Sequence, residues 1–183
     1  MTLVPSTMPE LGLPAPQFSL PDTAGRTVTI DDFSEAPALL VTFWCSHCPF
    51  VRHIREGFAA FAREYQAKDV AIVAISSNDE ISHPQDGPEQ MRADVEEFGY
   101  TFPYLRDASQ DVAHAYQAAC TPDFFLYDQN RKLVYRGRFD AATPSNDVRV
   151  TGEDMRAAIN ALLAGKPLSA EQAPSIGCNI KWK

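Results

Sequence analysis

The chain has 183 residues, a formal net charge of −8, 45% hydrophobic and 22% charged residues. That length and balance describe one globular domain with a substantial core, and the acidic charge argues against nucleic acid or an anionic membrane as a partner. No run is long enough to span a bilayer, residues 1–16 lack the basic and apolar parts of a secretory signal, and four cysteines are too few for a disulfide scaffold. The expectation is therefore a single domain over 1–183 in a reducing, cytoplasmic setting.

Residues 1–16 contain Pro5, Pro9, Pro14 and Pro16 and read as an extended, loosely ordered segment. Phe18–Leu20 and Thr27–Ile30 alternate apolar with polar around Asp22-Thr23-Ala24-Gly25, which predicts a β-hairpin. Ala38–Trp44 is a β-forming apolar run that stops at Cys45-Ser46-His47-Cys48. From Pro49 a helical spacing begins, with Val51, Ile54, Phe58, Phe61 and Tyr65 on one face, and it runs to about Ala67 across Gly57.

Val70–Ile75 is apolar without alternation, the pattern of a strand covered on both faces. The polar stretch Ser76–Gly87 is too long for a plain connection and suits the rim of a site, although Asn78, Asp79 and Asp86 read first as ordinary loop residues. Pro88 opens a helix with Met91, Val95 and Phe98 inward and Gly99 as its stop. Phe102–Leu105 predicts a short strand, and Ser109 a cap for a helix carrying Val112, Tyr116 and Ala119. Phe124–Tyr127 and Leu133–Tyr135 flank a turn and pair as an antiparallel hairpin. The last helix starts near Gly152, buries Met155, Ala158, Ile159 and Leu162, and ends at Gly165-Lys166-Pro167. The tail 168–183 has no periodicity, yet Ile176, Cys178, Ile180 and Trp182 require it to pack on the domain.

The cysteine loop carries the chemistry. Cys48 falls at the helix N-cap with Pro49 at the first helical position, where proline is favoured. Unpaired N–H groups and the positive end of the helix dipole there favour a thiolate, which is the nucleophilic form. Cys48 is thus the attacking sulfur and Cys45 the partner for a disulfide. A zinc site would need a second close ligand pair, and Cys120 and Cys178 are isolated in sequence. His47 between the cysteines can favour the thiolate or shuttle a proton, or stand as a plain loop histidine. Arg52, one turn on, either lowers the Cys48 pKa or is solvated. No cofactor or metal motif is present.

Trp44-Cys45-Ser46-His47-Cys48-Pro49 after a central strand, with Thr121-Pro122 before the hairpin, resembles the thioredoxin fold. The opening Ala15-Pro16-Gln17-Phe18-Ser19-Leu20 through Gly25 is similar to that of peroxiredoxin-like proteins of the AhpC/TSA type, and the resemblance runs from about residue 13 to the C-terminus. It implies an α/β thioredoxin-like fold: a mixed central sheet flanked by helices, with an N-terminal β-hairpin. It also implies a cis Pro122 against the sulfurs and a substrate groove shaped by Thr121, Pro122 and Trp44.

Against thioredoxin, the second family cysteine falls on Val51 and the buried acid on Thr42, so the internal proton acceptor is missing. Against peroxiredoxin, the peroxidase threonine is replaced by Cys45 and the arginine falls at Pro122, which weakens peroxide activation. The implied activity is a thiol–disulfide oxidoreductase acting on a disulfide-containing protein or small molecule and recycled by a cellular dithiol reductant. A thiol peroxidase and a non-catalytic redox sensor or binding module are the alternatives. Cys120, two residues before Pro122, reads equally as a thiol exchanging with the pair and as apolar packing. For Cys178 the packing reading is the expectation.

Overall fold

The computed structural model describes residues 2–183; Met1, part of the segment expected to be extended, lies outside them. In chain order the strands and helices are β1 (Leu3–Pro5), β2 (Ser19–Pro21), β3 (Thr27–Thr29), β4 (Ala38–Phe43), α1 (Pro49–Gln66), β5 (Ala71–Ser76) and α2 (Pro88–Phe98). They continue with β6 (Tyr104–Arg106), α3 (Asp111–Ala115), β7 (Cys120–Thr121), β8 (Asp123–Asp128), β9 (Leu133–Arg136), α4 (Glu153–Leu163) and β10 (Ile176–Asn179). The central sheet has the order β6-β5-β4-β8-β9, parallel across its first three strands and antiparallel across the rest. Among the described residues no helix is long and apolar enough to cross a membrane.

β4 lies in the middle of this sheet, and all six of its residues are buried. Because successive side chains of a strand point to opposite faces, β4 supplies both halves of the core. Ala38 and Leu40 pack with α1, whereas Leu39, Val41 and Phe43 pack with Phe18, Tyr116 and Ile180 on the other side. The α1 side is built around Phe58, whose ring lies 5.0 Å from Trp44, 5.4 Å from Phe102 and 5.5 Å from Phe139. Gly57 is no flaw in α1: the helix is continuous, and a Cβ there would meet Val150 Cγ1 at 2.8 Å.

Three elements differ from the sequence expectation. Residues 2–16 are ordered by pairing: β1 runs antiparallel to β10, and Gly12 and Ala15 donate backbone hydrogen bonds to Leu133 and Arg131. The tail does pack on the domain, but as a strand, giving a second sheet of order β1-β10-β7. α3 stops at Ala115, short of Ala119, and Asp107 caps it by accepting from the Ala113 N–H at 3.0 Å. Ser109 Oγ accepts only from the Asp111 N–H, at 3.2 Å. The first two rest on partners distant in sequence, and the third on a cap set by a local hydrogen bond to Asp107.

Because Phe58 fills the space between α1 and the sheet, Phe58→Ala should cost about 3–5 kcal/mol of unfolding free energy. Urea denaturation of the two proteins measures it, and a loss below about 1 kcal/mol would show that the cluster is not the stabilising centre.

Candidate active site

β4 delivers the cysteine loop to the carboxyl end of the central sheet, where open α/β sheets form crevices. Trp44 N–H still bonds to Ile75 O at 2.8 Å, and the chain then turns into α1. Cys48 is the N-cap residue, Pro49 follows at the first helical position, and the Cys48 carbonyl accepts the first helical bond from Arg52 N–H at 2.9 Å.

Thr121 touches both sulfurs. Its hydroxyl lies 3.3 Å from Cys45 Sγ, and its carbonyl oxygen lies 3.1 Å from Cys48 Sγ. The Thr121–Pro122 peptide is cis, as the resemblance implies. Pro122 lines a groove with Phe50, Ile54, Phe124, Phe139 and Ile176.

The environment separates the two thiols. As a thiol, Cys48 donates to Thr121 O. As a thiolate, it accepts from the thiols of Cys178 and Cys45 and from the N–H groups of Val51 and Cys178, while burial opposes the charge. Several donors against one carbonyl favour the anion, and the pKa of Cys48 is brought down to about 2. Cys45 is pushed well up, first by burial, then by its bond to Cys48 and by the charge of Asp86. The two neighbouring sulfurs are thus shifted in opposite directions.

Asp86, which reads as a plain loop residue in the sequence, organises the loop. Its buried carboxylate accepts from the N–H groups of Ser46 at 3.0 Å and His47 at 3.1 Å through one oxygen. Through the other it meets His47 Nδ1 at 2.5 Å and Asn78 Nδ2 at 2.9 Å. A carboxylate with both oxygens satisfied fixes the loop and the imidazole together. Cys45 Sγ, a His47 ring nitrogen and an Asp86 oxygen lie within 4.8 Å of one another. These types can ligate a metal, and His47 Nδ1 and both Asp86 oxygens are also engaged in hydrogen bonds within the loop.

Trp44 departs from the expectation, while Arg52 and Cys120 each follow one of the two readings left open. Trp44 is fully buried between Phe58 and Tyr100, its Nε1–H donating to Tyr100 OH at 3.4 Å, so it supports the loop from below and lines no groove. Arg52 is exposed on the wall of a polar cleft with His47, Arg55 and Asp94, and is not among the groups that hold the Cys48 sulfur. Cys120 is buried with its thiol aimed at Pro122 O, 3.7 Å away, and burial raises its pKa. Cys178 is buried, as the packing reading expects, but it lies beside Cys48: its thiol donates to that sulfur and accepts from the Phe50 N–H. Asp123, next to Pro122, is completely buried, which lifts its carboxyl to about 7. Asp86, Asn78 and Cys178 left no local signal, because each meets the loop through tertiary pairing.

A solved structure of a hypothetical protein from Sinorhizobium meliloti 1021 is 53% identical and superposes with a TM-score of 0.96 over 98% of both chains. The thioredoxin domain of a thiol-disulfide oxidoreductase from Bacteroides vulgatus, 19% identical, matches 81% of this chain and 96% of that one with a TM-score of 0.61, which shows the thioredoxin-like fold. The thiol-disulfide oxidoreductase ResA of Geobacillus thermodenitrificans is 28% identical over 67% of this chain, and the match spans 66% of that protein's length. Residues 11–136 match the AhpC/TSA family, and the chain belongs to that family.

Proposed function

We propose that the protein is a thiol–disulfide oxidoreductase in which Cys48 attacks and Cys45 resolves. The observation that carries this reading is geometric: Cys48 is the N-cap of α1, and Thr121, which precedes the cis Pro122, touches both its sulfur and that of Cys45. Cys48 thiolate attacks a substrate disulfide and expels one thiolate. The mixed disulfide is then attacked by Cys45, which gives up its proton towards His47 and Asp86. The second substrate thiolate leaves, and a Cys45–Cys48 disulfide remains for a dithiol reductant to open. His47 and Asp86 act here as positioning and proton-accepting groups, and Pro122 with Thr121 shapes the edge that receives substrate. Cytoplasmic residence fits a chain whose cysteines gather at one site instead of bridging distant elements.

Family membership favours thiol peroxidase as the second reading, with Cys48 oxidised to a sulfenic acid. It is the weaker one, because Cys45 and Pro122 stand where the peroxide-binding groups belong.

Single-turnover kinetics of the reduced protein with a small disulfide and with hydrogen peroxide decide between them. The disulfide should react at least about tenfold faster. A faster peroxide reaction would reverse the assignment.

The pH dependence of alkylation tests the nucleophile. A group whose pKa is lowered to about 2 is ionised throughout the ordinary range. Labelling of Cys48 should therefore be nearly flat between about pH 5 and about pH 8, while an ordinary thiol gains roughly tenfold per unit. Cys45 should label more slowly at every point, and preferential labelling of Cys45 would exchange the roles.

Asp86→Asn should keep the fold at a cost of about 1–3 kcal/mol, since a buried hydrogen-bonded acceptor is impaired. It should slow resolution more than the first attack, because the attack does not use the His47–Asp86 pair. Burst and steady-state rates with a small disulfide separate the two steps, and an equal loss in both would reduce Asp86 to a purely structural role.

A further inference from the structure

Any strand that brings a sulfur to Cys48 along this edge must lie beside Thr121, which contacts both cysteines. The chain already places one of its own strands there. β10 runs antiparallel to β7 with Cys178 opposite Thr121 and Asn179 opposite Cys120. Gly177 permits the approach: a Cβ at that position would stand 2.1 Å from Thr121 O, where no side chain fits. β10 is held on its other edge by β1, with Val4 opposite Gly177. Beyond it, Ile180 N–H bonds to Ala119 O at 3.0 Å and Lys181 N–H to Asn78 Oδ1 at 2.9 Å. Asn78 in turn holds Asp86, so the strand and the cysteine loop share one hydrogen-bond chain.

We propose that Cys178 is a third redox-active thiol, which attacks the mixed disulfide on Cys48 and leaves a Cys48–Cys178 disulfide joining β10 to the first turn of α1. This rests on Cys48 being the attacking sulfur, as proposed above. The step balances without an added oxidant. Cys48 thiolate attacks R–S–S–R′ and releases R′S⁻. Cys178, as its thiolate, then attacks Cys48 sulfur in Cys48–S–S–R and releases RS⁻, which takes up the proton that Cys178 gave up. One substrate disulfide is reduced to two thiols, and two cysteines of the chain are oxidised.

Local charge explains how Cys178 becomes competent at the right moment. Before reaction, its hydrogen bond to the Cys48 thiolate keeps it protonated more than burial does. Formation of the mixed disulfide removes that negative charge. The Phe50 N–H, which lies in the first turn of α1, and the cationic Lys181 remain, and both favour a Cys178 thiolate. Cys45 is relieved of the Cys48 charge in the same way, but the Asp86 charge persists beside it, whereas Lys181 stands beside Cys178. A cysteine placed only for packing would need neither the contact with Cys48 nor the Phe50 N–H.

The test uses full-length reduced Cys45→Ser with an aromatic disulfide whose released thiolate is coloured. The expected result is two equivalents of thiolate per chain and, after acid quench and non-reducing digestion, a peptide pair joining Cys48 to Cys178. Cys45→Ser/Cys178→Ser should stop at one equivalent with the aromatic adduct on Cys48. If Cys45→Ser also stops at one equivalent, keeps its adduct and leaves Cys178 open to alkylation, the third-thiol role is overturned while Cys48 remains the nucleophile. If Cys45→Ser releases nothing, the oxidoreductase reading itself falls, and this one with it. Wild-type protein, which carries no substitution that could disturb folding, should yield the Cys48–Cys178 peptide pair alongside Cys45–Cys48 at substoichiometric oxidant. Its absence at every dose also overturns the proposal.

Discussion

The negative charge on a buried sulfur has to be met by donors, and the surroundings of Cys48 are arranged for that one requirement. Desolvation opposes the thiolate, and it is outweighed because two thiols and two backbone N–H groups converge on the same atom. The N-terminus of α1 contributes one of those N–H groups at no cost, since the first amides of a helix have no partner within it. The others arrive from the loop and from β10, elements that the chain must fold back to assemble. Reactivity at this site is therefore a property of the completed tertiary structure as much as of the two-cysteine motif.

Two devices bring those donors into register. Asp86 ties the loop from one side by engaging the N–H groups of Ser46 and His47 and the His47 ring with a single carboxylate. Thr121 ties it from the other, with its hydroxyl on Cys45 and its carbonyl on Cys48. The two devices meet through Asn78 and Lys181, so a displacement of the C-terminal strand is felt at the loop. Such buried polar networks are effective because nearly every member is satisfied by another, and removing one leaves its partners unpaired in a low-dielectric setting.

Much of this was legible in the sequence where the signal is local. The covered strand β4, the helix α1 with its apolar face, the N-cap cysteine and the antiparallel hairpin β8–β9 each follow from a period or a cap contained in one segment. The cysteine loop was readable for the same reason. What escaped depends on pairing between distant segments. The strand character of Ile176–Asn179 comes from β1 and β7, not from alternation, and it is this pairing that seats Cys178 on Cys48. Asp86 looks like any acidic residue of a polar loop until Asn78 and the cysteine loop close on it. Trp44 shows the reverse error: its place beside the motif suggested a groove, but the aromatic cluster around Phe58 takes it inside.

The elements around the sulfur are not held with equal strength, and the difference has a direction. β4 is buried along its whole length on both faces, so releasing it means exposing the core. β10 is buried at its centre and beyond, at Gly177, Cys178 and Ile180, whereas Ile176 at its start is 51% exposed. That end is secured mainly by hydrogen bonds, Ser6 N–H to Ser175 O at 2.8 Å and Ser175 Oγ to Gly137 O at 2.8 Å. Bonds of that kind contribute about 0.5–1.5 kcal/mol each after exchange with water. Opening of β10 from Ile176 therefore costs far less than global unfolding, in the way that partly exposed segments open locally in other domains. Cys48 itself has no exposed surface, and Ile176 is one of the residues that line the groove along Pro122 and Phe50. The end of the covering strand with the least buried side chain thus borders the groove, while its centre, at Cys178, stays packed beside the buried sulfur.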